Sequence, residues 1–190
     1  MEYDNELHYP DSGTVTAEDN DVRRCSSHFH PLTKLQLKVF NDFKTMQAFG
    51  YFPPLKVTRS DVEGFVVVAD DKILKGSVIT EYCGVVKTLK EANEYDDDDD
   101  SLMDLIRNDD ENIALVIVPR ERGNVAKFIS GINNKNKVLA RKQNVQSERV
   151  VIDGQARVVL YATKDIPAGA QLYYDYNALD KDGFPTENFV

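Results

Sequence analysis

The 190-residue sequence has no tryptophan, two cysteines and three histidines. Cys25 and Cys83 cannot build a disulfide framework or a zinc cluster, and a reducing compartment is the default expectation. His8, His28 and His30 fall in or near the N-terminal segment, where H-F-H points to structural roles rather than a metal site. No apolar run approaches the ~20 residues that cross a bilayer, so no membrane partner is expected. The opening "MEYDNELHYPDSG" lacks the basic-then-apolar pattern of a signal peptide.

What is present is an apolar fraction of 42%, enough for one ordinary core, and a net charge of −9. The charge is uneven. Residues 91–111 carry eleven acids against one arginine, while residues 119–149 carry eight basic residues against two acids. Such a run is ordinarily a solvated face. Where it acts on a partner it suits a basic peptide rather than nucleic acid, chiefly by speeding encounter.

Along the chain, residues 1–27 are polar, acidic and without apolar periodicity, which predicts a flexible tail. "PLTKLQLKVFNDFKTMQAFG" reads as an amphipathic helix in a flank spanning 28–52. Thr33 is its cap, Leu35, Val39, Phe43 and Met46 form its stripe, and Gly50 follows its end. "YFPPLKV" begins an extended segment. "EGFVVVAD" and "SVITEYCGVV" are β-branched strands, and "SLMDLIRND" reads as a short helix beyond an exposed Asp96–Asp100 loop. "NIALVIVP" is a buried strand, "NVAKFISG" a helical turn capped by Asn124, and "RVVIDGQARVVLYAT" a hairpin around Asp153-Gly154. The turn "KDIPAGAQ" leads into "QLYYDYN", which spends three of nine tyrosines in four positions. A β-rich domain with few helices and no alternating βαβ units follows.

In this order, "EGFVVVADDKILKGSVITEYCGVV", "RGNVAKFISGINN" and "DIPAGAQLYYDYN" resemble the three defining blocks of the SET-domain protein lysine methyltransferases. "KFISGINN", "RKQN" and "YDYN…FPTENFV" resemble more narrowly the plant trithorax-related enzymes that monomethylate histone H3 at lysine twenty-seven. The resemblance implies a mainly β SET-domain fold (a β-clip with a pseudoknot-like closure) behind the N-terminal helical flank. It implies a catalytic domain over 53–177 and a C-terminal cap over 178–190. With no cysteine in that cap, no zinc is expected.

The reaction so implied moves a methyl group from S-adenosylmethionine to a lysine amine. The amine must be neutral, against an ordinary pKa of about 10.4, and a desolvated channel favours that form. Alignment of the reactants contributes on the order of 7–11 kcal/mol. By resemblance Tyr176 is the closing-motif tyrosine beside the transferring methyl. Tyr174, two residues earlier on the same strand face, holds the amine or a water and so favours a monomethyl product. Tyr82 is a channel-wall tyrosine. The plain alternative for each is a strand aromatic with a satisfied hydroxyl.

The resemblance also places cofactor contacts at Glu63, Gly64 and Phe65 in the opening loop, and at Lys127, Phe128, Ile129, Ser130 and Gly131 in the middle motif. Tyr176 joins them, and Phe189 and Val190 fold over the site. Three departures stand out: Gly64 alone remains of a Gly-x-Gly pair, Lys127 replaces Arg, and Ser130 replaces Asn. Lys142, Gln143 and Asn144, in "RKQN", match a segment near the peptide groove, where a histone H3 tail or another basic peptide can add as a strand. No sequence-specific nucleic-acid binding is expected, and a nuclear location rests on the resemblance alone. Two other readings stay open: a catalytically silent SET module that binds a peptide or complex partner, and a methyltransferase of a non-histone protein.

Overall fold

The computed structural model describes residues 2–3, 8, 34–94, 101–152, 155–178 and 184–189. Its backbone divides into two compact units. The first comprises residues 1–32, 81–127 and 149–158, and the second residues 33–80, 128–148 and 159–190.

The second unit begins with helix α1 (Lys34–Phe49). Val39 and Phe43, four residues apart on one face, are fully buried, and Met46 is half-buried. Thr33 and the side chain of Leu35 lie outside the described residues. Gly50 ends the helix at φ +64°, and the Tyr51 N–H donates to the Met46 carbonyl at 3.2 Å, a Schellman closure. Strands β2 (Leu55–Ser60) and β3 (Gly64–Ala69) then pair antiparallel from Leu55↔Ala69 to Ser60↔Gly64. Ser60 Oγ accepts from the Val62 and Glu63 N–H groups inside this turn. Val66, Val67 and Ala69 are buried. The other side of β3 meets the closing segment, with Leu172 N–H on Val67 O at 2.9 Å and Ala69 N–H on Ala170 O at 3.0 Å.

The first unit holds strands β5 (Val85–Thr88), β6 (Met103–Ile106) and β7 (Leu115–Val118) in the order β5-β7-β6. Helix α2 (Leu89–Asn93) follows β5 directly behind a capping box, in which Thr88 and Glu91 exchange side-chain and backbone bonds. Strand β4 (Val78–Glu81) precedes them in sequence. Strands β10 (Val145–Ile152) and β11 (Gln155–Ala162) form a sheet with β4 in the order β10-β11-β4, and each has residues in both units. The turn expected at Asp153-Gly154 lies outside the described residues. In the acidic N-terminal segment, β1 (Glu2–Tyr3) pairs parallel with β8 (Arg122–Gly123), and His8 bridges Val85. Those described positions are therefore held by backbone pairing.

Two local readings are corrected. "SLMDLIRND" forms strand β6, not a helix, because Met103, Leu105 and Ile106 bury against β7 and the bulge at Leu105 keeps that pairing. "SVITEYCGVV" is two strands, not one, because the chain breaks at Tyr82-Cys83-Gly84. A Cβ on Gly84 would stand 2.7 Å from the Val118 carbonyl oxygen, so only glycine permits that approach. The expected mainly β fold with few short helices and an N-terminal helix is otherwise present.

Candidate active site

Two short strands far apart in sequence organise the second unit. Strand β9 (Ser130–Gly131) pairs parallel with β12 (Tyr173–Tyr174), in the register Tyr173↔Ser130 and Tyr174↔Gly131. This pairing sets the middle motif beside the tyrosine segment. Tyr176 follows β12, and its hydroxyl donates to the Ile129 carbonyl at 2.9 Å. Its ring lies 4.6 Å from that of Tyr174 and meets Phe184 and Phe189 edge-on at 5.5 Å each. Tyr174 itself is buried. Gly131 is required here for space: a Cβ would lie 2.3 Å from Phe189 Cε2 and 3.1 Å from Tyr176 Cδ1.

The segment carrying Phe184 and Phe189 is tied down by asparagines. Asn133 Nδ2 donates to the Glu187 and Phe189 carbonyls at 2.9 and 3.1 Å. Asn177 Nδ2 donates to Phe184 O, while Asn177 Oδ1 accepts from Phe184 N–H. Asn134 Nδ2 holds Asp175 Oδ1 at 2.6 Å.

A polar cluster borders the aromatic one. Glu63 Oε2 accepts from Gln171 Nε2 at 2.6 Å and from the Tyr173 hydroxyl at 3.4 Å, and Gln171 Nε2 also reaches Ser130 Oγ at 2.9 Å. Burial, then the Glu63 carboxylate, push the Tyr173 phenol up to about 12, so it stays a neutral donor. Gly64 adopts φ +76° with open space around it, so glycine is needed for conformation rather than for room. The rings of Phe65 and Phe128 meet edge-on at 5.9 Å.

The family model of the SET domain matches residues 64–177. The chain belongs to the SET domain family. It is 41% identical over 189 residues to the histone-lysine N-methyltransferase ATXR6 of Arabidopsis thaliana, a match covering 99% of this chain and 53% of that protein. The crystal structure of ATXR5 in complex with histone H3.1 monomethylated on arginine twenty-six superposes with a TM-score of 0.85 at 39% identity, covering 100% of this chain and 86% of that one. A structure of KRYPTONITE with methylated DNA, an H3 peptide and SAH (S-adenosylhomocysteine) matches at TM-score 0.51 and 30% identity, covering 70% of this chain and 25% of that one. The chain spans about half the length of ATXR6 and similar curated relatives it matches.

Of the residues singled out in the sequence, Glu63, Gly64, Phe65, Phe128, Ile129, Ser130, Gly131, Tyr174 and Tyr176 all fall in the second unit of this SET protein. Tyr82 and Lys127 belong to the first. Tyr82 is buried there, and its hydroxyl donates to the Ser101 carbonyl at 2.5 Å. Val190 lies outside the described residues. Lys142 Nζ stands 5.4 Å from the centre of the Tyr173 ring, and Gln143 Nε2 bonds Val145 O. Asn144 is buried, with Nδ2 on Gln171 O and Oδ1 on Tyr173 N–H, both at 2.8 Å. Its amide serves the backbone around β12.

Sequence reasoning passed over Gln171, Tyr173, Asn133, Asn177 and Phe184. Alternation supplied a signal for the first two. In a strand with Leu172 and Tyr174 facing inward, positions 171 and 173 share the opposite face. The asparagines carried no such signal, because their partners lie about 50 residues away in sequence or in an irregular segment.

Proposed function

We propose that this SET domain is a protein-lysine N-methyltransferase that uses S-adenosylmethionine and acts on a lysine of the histone H3 tail, monomethylating lysine twenty-seven. The observation that carries the reading is Tyr176. Its hydroxyl is fixed on the Ile129 carbonyl and its ring is walled by Tyr174, Phe184 and Phe189. The similarity to ATXR6 and ATXR5 over the whole chain supports the substrate class.

The residues present fit the cofactor. Ring faces and a backbone carbonyl suit a sulfonium cation, and the neighbouring turn at Gly64 leaves open space where any side chain would project. Glu63, Gly64, Phe65, Lys127, Phe128, Ile129, Ser130, Gly131 and Tyr176 would hold it. When bound, the cofactor supplies an electrophilic methyl group. The chain's own contribution is positional and electrostatic. Tyr176 donates its phenol proton to Ile129 O, which fixes the position and orientation of its oxygen. The buried Tyr174 ring excludes water and disfavours a charged amine nearby. Its hydroxyl is the candidate brake on a second methylation, and Tyr82 the candidate wall. Lys142, Gln143 and Asn144 are proposed to border the peptide, with Asn144 acting through the backbone it holds. The nucleus is the location this substrate requires.

The test is mass spectrometry of the protein incubated with S-adenosylmethionine and an H3 peptide spanning A-R-K-S-A. A single methyl increment on that lysine supports the whole reading. Cofactor binding without product moves the substrate to a non-histone protein. The absence of both leaves a silent SET module, a reading that Ser130 in place of Asn and the lone Gly64 of a Gly-x-Gly pair favour.

A further inference from the structure

The amide of Gln171 has two N–H bonds, and both are used on groups proposed above to hold the cofactor. One goes to Glu63 Oε2 at 2.6 Å and the other to Ser130 Oγ at 2.9 Å. The backbone of Gln171 is itself immobilised from two directions. It bridges Val68 on β3, and its carbonyl accepts from Asn144 Nδ2 at 2.8 Å. A side chain on so fixed a base acts as a strut. What it holds needs holding: the turn at 61–63 and the first residues of β3 expose Val62 and Phe65 by 73% and 62%, so side-chain packing defines their position only through the edge-on contact of Phe65 with Phe128. We infer that Gln171 is a positioning residue that locks the Glu63–Gly64 turn to Ser130 and thereby sets the affinity for the cofactor. This rests on the methyltransferase reading.

Two further consequences follow from the same contacts. Because Ser130 Oγ accepts from Gln171, its own O–H is left to donate. Because Ser130 Oγ and Glu63 Oε2 share one nitrogen, an amide introduced at 130 can itself reach Glu63. The Gln171 strut and an amide at 130 are therefore alternative ways of making one link.

The experiment compares wild type, Gln171→Met, and Gln171→Met with Ser130→Asn. Methionine keeps the length of the side chain and removes the donors. Calorimetry with S-adenosylmethionine is expected to show about tenfold weaker binding in Gln171→Met, the fold-change of one charge-assisted hydrogen bond. The double variant regains most of it. In Gln171→Met itself the KM for peptide and the kcat at saturating cofactor stay within about twofold, below the scale of RT. Hydrogen exchange without cofactor is expected to quicken at residues 61–65 in Gln171→Met alone. Unchanged cofactor affinity in that variant, or equal losses in kcat and both KM values with no rescue by Asn at 130, overturns the inference. A wild type that binds no cofactor refutes the methyltransferase reading instead. The exchange data then still decide the strut, and unchanged exchange at 61–65 removes it.

Discussion

Glu81 is an acid placed where acids are costly. It ends β4 with its side chain 3% exposed, and both its oxygens take Arg157 Nη1 at 3.1 Å, while Gln155 Oε1 holds Arg157 Nη2 at 3.0 Å. Two effects oppose each other. Burial disfavours the carboxylate, and the Arg157 guanidinium favours it; burial wins, and the group is pushed up from 4.5 to about 7. The sign for stability follows. Between these two values the folded protein keeps a proton that the unfolded chain has released, so stability falls as pH rises through the window and levels off above it. The difference corresponds to on the order of 3 kcal/mol. Urea midpoints are therefore expected to decline from pH 5 to about pH 7.5. Glu81→Gln, which resembles the protonated acid and cannot ionise, is expected to flatten that decline and to exceed wild type at pH 8. If Glu81→Gln is instead destabilised at pH 8 with the wild-type slope intact, the attraction of Arg157 outweighs burial and the reasoning fails.

Tyr176→Phe is expected to cut turnover by about 100-fold or more while lowering stability by about 1 kcal/mol, the net value of its bond to Ile129 O. An unchanged rate removes Tyr176 from its role. Tyr174→Phe is expected to shift the product from monomethyl toward di- and trimethyl-lysine, and a purely monomethyl product in mass spectrometry refutes the brake. Gly131→Ala is expected to cost about 1–3 kcal/mol and to weaken cofactor binding, because Phe189 must leave the Tyr176 ring. A crystal structure of that variant with Phe189 unmoved would count against it.

The elements legible in the sequence are those whose cause is local. The stripe of α1 and its glycine stop, the Asn124 cap and the β-branched run of β3 are each decided within a few residues. The three ordered blocks likewise carried the family, because a motif is read without knowing its partners. Strand β6 was misread for the opposite reason. Leu102, Met103, Leu105 and Ile106 carry spacings that a helix face also carries, and only pairing with β7, a dozen residues on, selects the strand. The break at Gly84 has the same origin, since Val118 O forces it from outside the segment.

The candidate site shows this division most sharply. Strand alternation makes Tyr174 and Tyr176 legible as a pair, although the strand ends at Tyr174 and Tyr176 lies in the turn beyond it, so one shared strand face is not what joins them. That the Tyr176 ring closes against Phe184 and Phe189 depends on Asn133 and Asn177, amides whose carbonyl partners have no side-chain signature. Ser130 reads in the sequence as a shortened residue in a known block. In the fold Gln171 Nε2, 41 residues on, reaches Ser130 Oγ beside a parallel pairing of two residues each. On the inference drawn above, a substitution that looks like a loss along the chain is compensated by a residue that the β9–β12 pairing brings alongside it, so that strand register rather than motif decides the contact.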